Sequence, residues 1–352
     1  MLGLIPLFAI SSAMIQAPIP TERDFTFKDF HFMDSEVMPE ARIHCTTFGT
    51  IHRGASGKVD NAVLIMHGTG GSGHSLINRV FSGELFGPGQ LLDANKYFLI
   101  LPDALGHGKS SKPSDGLHAK FPHFGYRDMV QLQYKTVTEG LQVDHLRLVM
   151  GTSMGAMQTY LWGETYPDFM DALMPLACLP VQIAGRNRMT RKMIIDAIKD
   201  DPGYNDGEYK TQPYGLREAA DVMILMGSAP LQMMKQAPTR DEADTLLERM
   251  EHGQMARMDA NDILYQVASS FDYNPEPDLE KITAPLTHVN SADDFINPPE
   301  LGIAEKLIKR VKHGKFVLIP ISDKTHGHGT HTYAAVWENH LKDLLDRSGG
   351  RR

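Results

Sequence analysis

Five residues, Gly151-Thr152-Ser153-Met154-Gly155, constrain this chain more than any other stretch. They stand between an apolar run over 146–150 and a helix-like segment over 156–164. A G-x-S-x-G sequence between a strand and a helix is the setting of a nucleophile elbow. The reason is steric. A turn this tight holds its central residue in a strained backbone conformation, and the flanking glycines let strand and helix approach without Cβ clashes. The hydroxyl of Ser153 is then expected to stand at the carboxyl edge of a sheet and the N-terminus of a helix. The competing reading is a structural serine in a turn, so the rest of the chain must supply partners.

A serine hydroxyl is a poor nucleophile at neutral pH and needs a histidine base oriented by a carboxylate. With this elbow the chain order is serine, acid, histidine. A strand-like run over 285–290 leads into Ser291-Ala292-Asp293-Asp294-Phe295-Ile296-Asn297-Pro298-Pro299, and a run over 315–319 leads towards Thr325-His326-Gly327-His328-Gly329-Thr330-His331. Asp294 is the preferred acid because it opens the segment leading to Pro298; Asp293 reads as a solvated or capping residue. His328, between two glycines, is the preferred base; His326 and His331 read as supporting residues or a helix start. The oxyanion formed on attack needs backbone N–H donors. Met154, directly after the nucleophile, is one, and Thr69 in the loop His67-Gly68-Thr69-Gly70-Gly71-Ser72-Gly73 is the other.

Further apolar runs over 62–66, 97–101 and 172–178 read as buried parallel strands, and 24–32 and 42–48 read as half-buried ones. Helical patterns cover 127–141, 300–312 and 331–345. Strands alternating with helices predict an α/β fold with a mostly parallel, doubly wound sheet. From about 181 to 284 the strand-like runs stop and helices over 187–199, 216–226, 240–251 and 260–270 replace them. This reads as a helical cap inserted after the sixth strand, with the core in 21–180 and 285–347. The cap is rich in methionine. A stripe such as Met189 and Met193 reads first as core, with a pocket wall or a dimer seam as the alternative.

Several function classes drop out. Gly68, Gly70 and Gly73 satisfy G-x-G-x-x-G, but no acid follows at the end of a second strand, so a dinucleotide site is not predicted. Gly106-His107-Gly108-Lys109-Ser110-Ser111 fails as a P-loop because Asp103 stands where the first glycine belongs; Asp103 reads as a structural turn residue. A net charge of −8 with no basic stripe argues against nucleic acid. The two cysteines, Cys45 and Cys178, lie in core-like runs without metal-ligand or disulfide spacing. The histidine-rich loop lacks acidic or thiol partners for a metal, and no cofactor is called for. Residues 1–20 are apolar and then small, like a signal peptide cleaved after Ala13 or Ala17, although no Lys or Arg precedes them. A periplasmic or secreted location follows if they are cleaved, a cytoplasmic one if they are an uncleaved extension. No run is long enough for a stable membrane span. Residues 348–352 read as a flexible tail.

The assembled motifs resemble the homoserine O-acetyltransferase-like family of the α/β-hydrolase superfamily. The resemblance runs through Phe121-Pro122-His123-Phe124-Gly125-Tyr126-Arg127-Asp128-Met129-Val130, the elbow, Tyr166-Pro167-Asp168-Phe169, Ala197-Ile198-Lys199-Asp200-Asp201-Pro202 with Gly207-Glu208-Tyr209, Asp294 to Glu300, and Gly327-His328. It implies the α/β-hydrolase fold, an acyl-enzyme on Ser153 and a dimer formed through the cap. Departures bear on activity. Acetyltransferases of the family carry an arginine for the homoserine carboxylate where this chain has Ile195, and an aspartate for its amine where this chain has Gly329. Thr152 and Ala156 also replace family glycines. Arg188 or Arg191 could replace the missing arginine, against a plain solvated helix face. Losing both clamps leaves an amino-acid zwitterion unpaired, at a cost on the order of 2–5 kcal/mol for each charged contact. The expected activity is therefore hydrolysis of a carboxylic ester or related acyl bond of a small molecule. Acyl transfer from acyl-CoA to an alcohol is the alternative, and a non-catalytic ligand-binding relative is a third reading.

Overall fold

The apolar runs assemble side by side into one eight-stranded sheet. The computed structural model describes residues 18–349; the segment 1–17 read as a signal peptide and the last residues of the tail lie outside the described residues. The strands are β1 (Thr21–His31), β2 (Val37–Phe48), β3 (Ala62–Met66), β4 (Phe98–Pro102), β5 (Leu148–Thr152), β6 (Leu173–Leu176), β7 (Leu286–Ser291) and β8 (Gly314–Ile319). Their order is β1-β2-β4-β3-β5-β6-β7-β8. β1 and β2 pair antiparallel, β2 meets β4 antiparallel, and all later pairs are parallel. Every residue of β3, β4, β5 and β6 is buried, as strands covered on both faces require.

Helices α1 (Ser82–Leu85), α2 (Tyr126–Lys135) and α3 (Met154–Thr165) precede β6. Between β6 and β7 lie α4 (Gly185–Lys199), α5 (Gly215–Gly227), α6 (Pro230–Gln236), α7 (Arg240–Met255) and α8 (Ala260–Ala268). This is the inserted helical cap. α9 (Ile303–Leu307) and α10 (Ala334–Ser348) finish the chain. Strand alternation divides the core in two. Ala62, Leu64 and Met66 face α3 and the cap side, while Val63, Ile65, Leu99 and Leu101 face Trp337 and Leu341 of α10.

Four local expectations need correction. The helix expected over 300–312 is broken at Gly302, whose φ of 63° separates a 3-10 turn, Pro299–Leu301, from α9. The period-two reading of the first strand slips at Asp29, where φ is +47°; Phe27 on one side and Phe30 and Phe32 on the other all reach the core. α6 went unpredicted although Pro230 at its start is a helix-opening signal. Met189 and Met193 are not core: they are 60% and 51% exposed on the outer face of α4. Cys45 and Cys178 are buried free thiols.

Candidate active site

β3 and β5 are neighbours, and the chain leaves them for opposite sides of the sheet. Their carboxyl ends therefore flank a topological switch point, the crevice where open α/β sheets place ligands. The loop after β3 carries Thr69 and the turn after β5 carries Ser153. Ser153 has φ 53° and ψ −110°, a region that side chains other than glycine rarely occupy. Its N–H donates to the Leu176 carbonyl at 2.8 Å, and its carbonyl accepts from Met157 N–H at 3.1 Å. The two glycines of the motif are sterically obligatory. A Cβ on Gly151 would lie 2.2 Å from the Gly155 carbonyl oxygen, and one on Gly155 would lie 2.3 Å from that of Met66.

The loops after β7 and β8 bring the other two residues to this turn. Ser153 Oγ lies 2.8 Å from His328 Nε2, and His328 Nδ1 lies 2.9 Å and 3.1 Å from the two oxygens of Asp294. With the ring proton on Nδ1, His328 donates to Asp294 and its Nε2 accepts from the serine hydroxyl. Asp294 is buried and receives N–H bonds from Ile296 at 2.8 Å and Asn297 at 3.1 Å, plus the Asn297 side-chain amide at 3.0 Å. Burial pushes its pKa up, but the His328 charge and these hydrogen bonds outweigh burial and hold it at about 2. It is an acceptor fixed in the ionised form.

Asp293 differs from its expected solvated role. Its carboxylate accepts the Gly327 N–H at 3.0 Å and the Ser291 hydroxyl, so it ties the histidine loop to the acid loop. Gly327, at φ 59°, gives that loop its bend. His326 stacks on Tyr333 with ring centroids 3.7 Å apart. His331 packs edge-on against His328 at 5.1 Å, and burial with the nearby His328 lowers its pKa to about 3. A neutral ring therefore backs His328, adding no charge that would oppose protonation of the base.

Thr69 and Met154, the expected oxyanion donors, both lie beside the Ser153 turn. Met154 opens α3, so its N–H is one of the orphan donors of a helix N-terminus. Thr69 is the second residue of a turn closed by Gly71 N–H on the Gly68 carbonyl at 3.0 Å, with Gly70 at φ 75°. Thr69 also carries a buried hydroxyl with no partner among the described residues. Asp103 braces this region: its carboxylate accepts Gly73 N–H and Lys109 N–H, both at 2.7 Å. Thr69, Ser153 and His328 share a cavity of about 150 Å³ whose walls include Met223, Met226 and Arg191.

The sequence pattern described as alpha/beta hydrolase fold matches residues 61–211. Homoserine O-acetyltransferase of Pelobacter propionicus is 28% identical over 88% of this chain and 92% of its own. The solved structure of homoserine O-acetyltransferase from Bacillus anthracis superposes with a TM-score of 0.81 at 20% identity, covering 94% of this chain and 98% of its own. The chain has the α/β-hydrolase fold. Such α/β-hydrolase-fold relatives do not share one named reaction. Ethyl acetate hydrolase of Pseudomonas veronii is 30% identical over 56% of each chain.

Ile195, where the resemblance to acetyltransferases leads one to expect an arginine, is half-buried in the cap core. Arg191, one helical turn earlier, is buried and not on a solvated face. Its Nε donates to Asn187 Oδ1 at 3.0 Å, and its Nη1 donates to the Val267 carbonyl at 3.2 Å and the Ser270 hydroxyl at 3.3 Å. The guanidinium thus ties α4 to the carboxyl end of α8, where a cation is favoured, while lining the Ser153 cavity. Arg188 is exposed. Sequence reasoning gave Asn297 no role of its own; Met223 and Met226 belong to the methionine-rich cap, and they follow its alternative reading as a pocket wall. Asn297 was legible as a polar residue in the acid loop; the two methionines needed the packing of α5 over the elbow.

Proposed function

We propose that the protein is a serine hydrolase that cleaves a carboxylic ester of a small molecule through an acyl-enzyme on Ser153. The observation that carries the reading is the continuous relay from Ser153 Oγ through His328 to the ionised Asp294, with contacts of 2.8 Å and 2.9 Å. Ser153 attacks the ester carbonyl as His328 Nε2 takes its proton. The Met154 and Thr69 N–H groups receive the charge that develops on the carbonyl oxygen. His328 returns the proton to the leaving alcohol, and then activates water to release the acid. Asp294 keeps the ring in the productive tautomer and stabilises its cation.

Acyl transfer to an alcohol on the same residues is the second reading. Arg191, a buried cation in the wall of the Ser153 cavity, favours it. Ile195 and Gly329 favour hydrolysis, because neither offers a charge to an amino-acid acceptor. The test is turnover of short acyl esters, and of acetyl-CoA with and without homoserine, by wild type and Ser153→Ala. The expected result is ester cleavage that falls by about 10³-fold or more in the variant. Acetyl-CoA consumption only when homoserine is present, with O-acetylhomoserine formed, replaces hydrolysis with transfer. Absence of labelling of Ser153 by a fluorophosphonate replaces both with a binding role.

We also infer that two copies pair through the cap. Leu225, Leu231, Met234 and Leu247 are between 43% and 63% exposed, and α5, α6 and α7 line an apolar groove of about 480 Å³. Exposed apolar surface clustered in this way marks contact sites.

A further inference from the structure

The cavity beside Ser153 is small. At about 150 Å³ it lies below the usual range of ligand pockets, roughly 300 to 1,000 Å³. A second cavity of about 460 Å³ adjoins it, and Met157 and Ile296 line both. These two side chains are the partition. Met157 sits one turn along α3 from the nucleophile, and Ile296 follows Asp294 in the acid loop. A thioether chain adapts its shape readily, so this partition can part without moving the backbone.

The larger chamber is walled by Leu179, Val181 and Ile183 ahead of α4, and by Pro298 and Ile303 across from them. Its main polar groups are already engaged. The Arg186 guanidinium donates to the Phe295 carbonyl at 2.6 Å and lies 3.8 Å over the Phe295 ring. Asn187 Oδ1 accepts from Arg191, and the Asn297 amide donates to the Ala177 carbonyl at 3.1 Å and to Asp294. Gln182 and Glu300 are exposed and face the rim. A polar occupant would lose its water here without finding equivalent partners, while an alkyl chain loses nothing.

We propose that this chamber is the chain pocket of the catalytic site, holding the unbranched alkyl chain of an ester whose carbonyl lies at Ser153. The inference rests on the esterase reading and narrows it: the substrate is a medium-chain ester, and the smaller cavity alone is only its entrance. Each methylene that enters the chamber raises kcat/KM roughly fourfold until the chamber fills. The chain belongs either to the acyl group or to the alcohol. Both place the same hydrocarbon between Met157 and Ile296.

The experiment has a catalytic and a binding arm. In the first, wild type and Ile183→Trp are assayed on ethyl esters from acetate to decanoate and on alkyl acetates from ethyl to octyl. Wild type is expected to favour the six- to eight-carbon member of one series, which identifies the chain. In Ile183→Trp the ratio of that rate to the ethyl acetate rate is expected to fall at least tenfold. A flat profile, or one that Ile183→Trp leaves unchanged, overturns the proposal. In the second arm, ethyl octanoate and octyl acetate are titrated into Ser153→Ala by calorimetry, where no turnover intervenes. Binding of one of them, at least tenfold weaker once Ile183→Trp is added, supports the chamber even if no ester is hydrolysed. Absence of binding, or binding indifferent to Ile183→Trp, overturns it. Loss of Ser153-dependent ester turnover alone defeats the esterase reading and is read separately.

Discussion

Ser153 is held at φ 53° because strand, turn and helix leave it no other conformation. That strain has a measurable side. Ser153→Gly relaxes the backbone and Ser153→Ala does not, although both remove the nucleophile. The glycine variant is expected to be the more stable of the two by about 1 kcal/mol, after its extra unfolded-state entropy is subtracted; urea midpoints of the pair measure it. Thr69 offers a second test. Its hydroxyl is buried without a partner among the described residues, and Thr69 lines the Ser153 cavity. Thr69→Val keeps the backbone N–H and the shape, so kcat for ester cleavage is expected to drop about tenfold, less than a full oxyanion donor is worth, with KM little changed. Asp294 adds a pH signature. Its folded pKa of about 2 lies below the ordinary carboxylate value. The stability it contributes, on the order of 2 kcal/mol, is present above about pH 4 and lost as pH falls through about 2. The stability difference between wild type and Asp294→Asn, followed by urea unfolding from pH 6 downwards, is expected to shrink over that window.

Between elements, the contact of α2 with α3 carries a pH signature. Glu164 near the end of α3 pairs with Arg127 of α2 at 2.9 Å, and its second carboxylate oxygen is buried without a partner among the described residues. Burial outweighs the attraction of Arg127 and raises the Glu164 pKa to about 7. A raised carboxylate pKa means that the folded state holds a proton the unfolded chain has already released. Stability from this group is therefore full below about pH 4.5 and declines as pH rises through 7. Glu164→Gln is expected to remove that decline, and chemical denaturation at pH 5 and pH 8 compares the two proteins. The elbow's neighbours are tied more firmly, because Asp293 fastens the acid loop to the histidine loop through Gly327 N–H at 3.0 Å.

For the molecule as a whole, the sheet is the base and the cap lies over it. Thr69, Ser153, Asp294 and His328 follow the carboxyl ends of β3, β5, β7 and β8, while α4, α5 and α8 of the cap wall the cavity beside Ser153. The cap's outer surface makes the assembly prediction. The chain is expected to sediment as a dimer, and Leu225→Asp with Leu247→Asp to give a folded monomer. Equal sedimentation of wild type and double variant in analytical ultracentrifugation removes the cap from the interface.

The sheet was legible in the sequence because a strand buried on both faces is expected to be a continuous apolar run, as 62–66 and 98–102 show. Ser153, Asp294 and His328 were legible because a motif and a chain order mark them. Other features had no local mark. Arg191 was read as solvated, since a helix sequence does not say which neighbour will cover a given face; the carbonyl end of α8 covers it. Met189 and Met193 were read as core for the same reason, and nothing covers them among the described residues. Sequence by itself determined the fold and which residues could carry acyl chemistry, because burial and turn geometry are local demands on residue type. Only the tertiary structure decided that Asp293 ties two loops and that two cavities meet at Met157 and Ile296, because those facts depend on elements far apart in the chain.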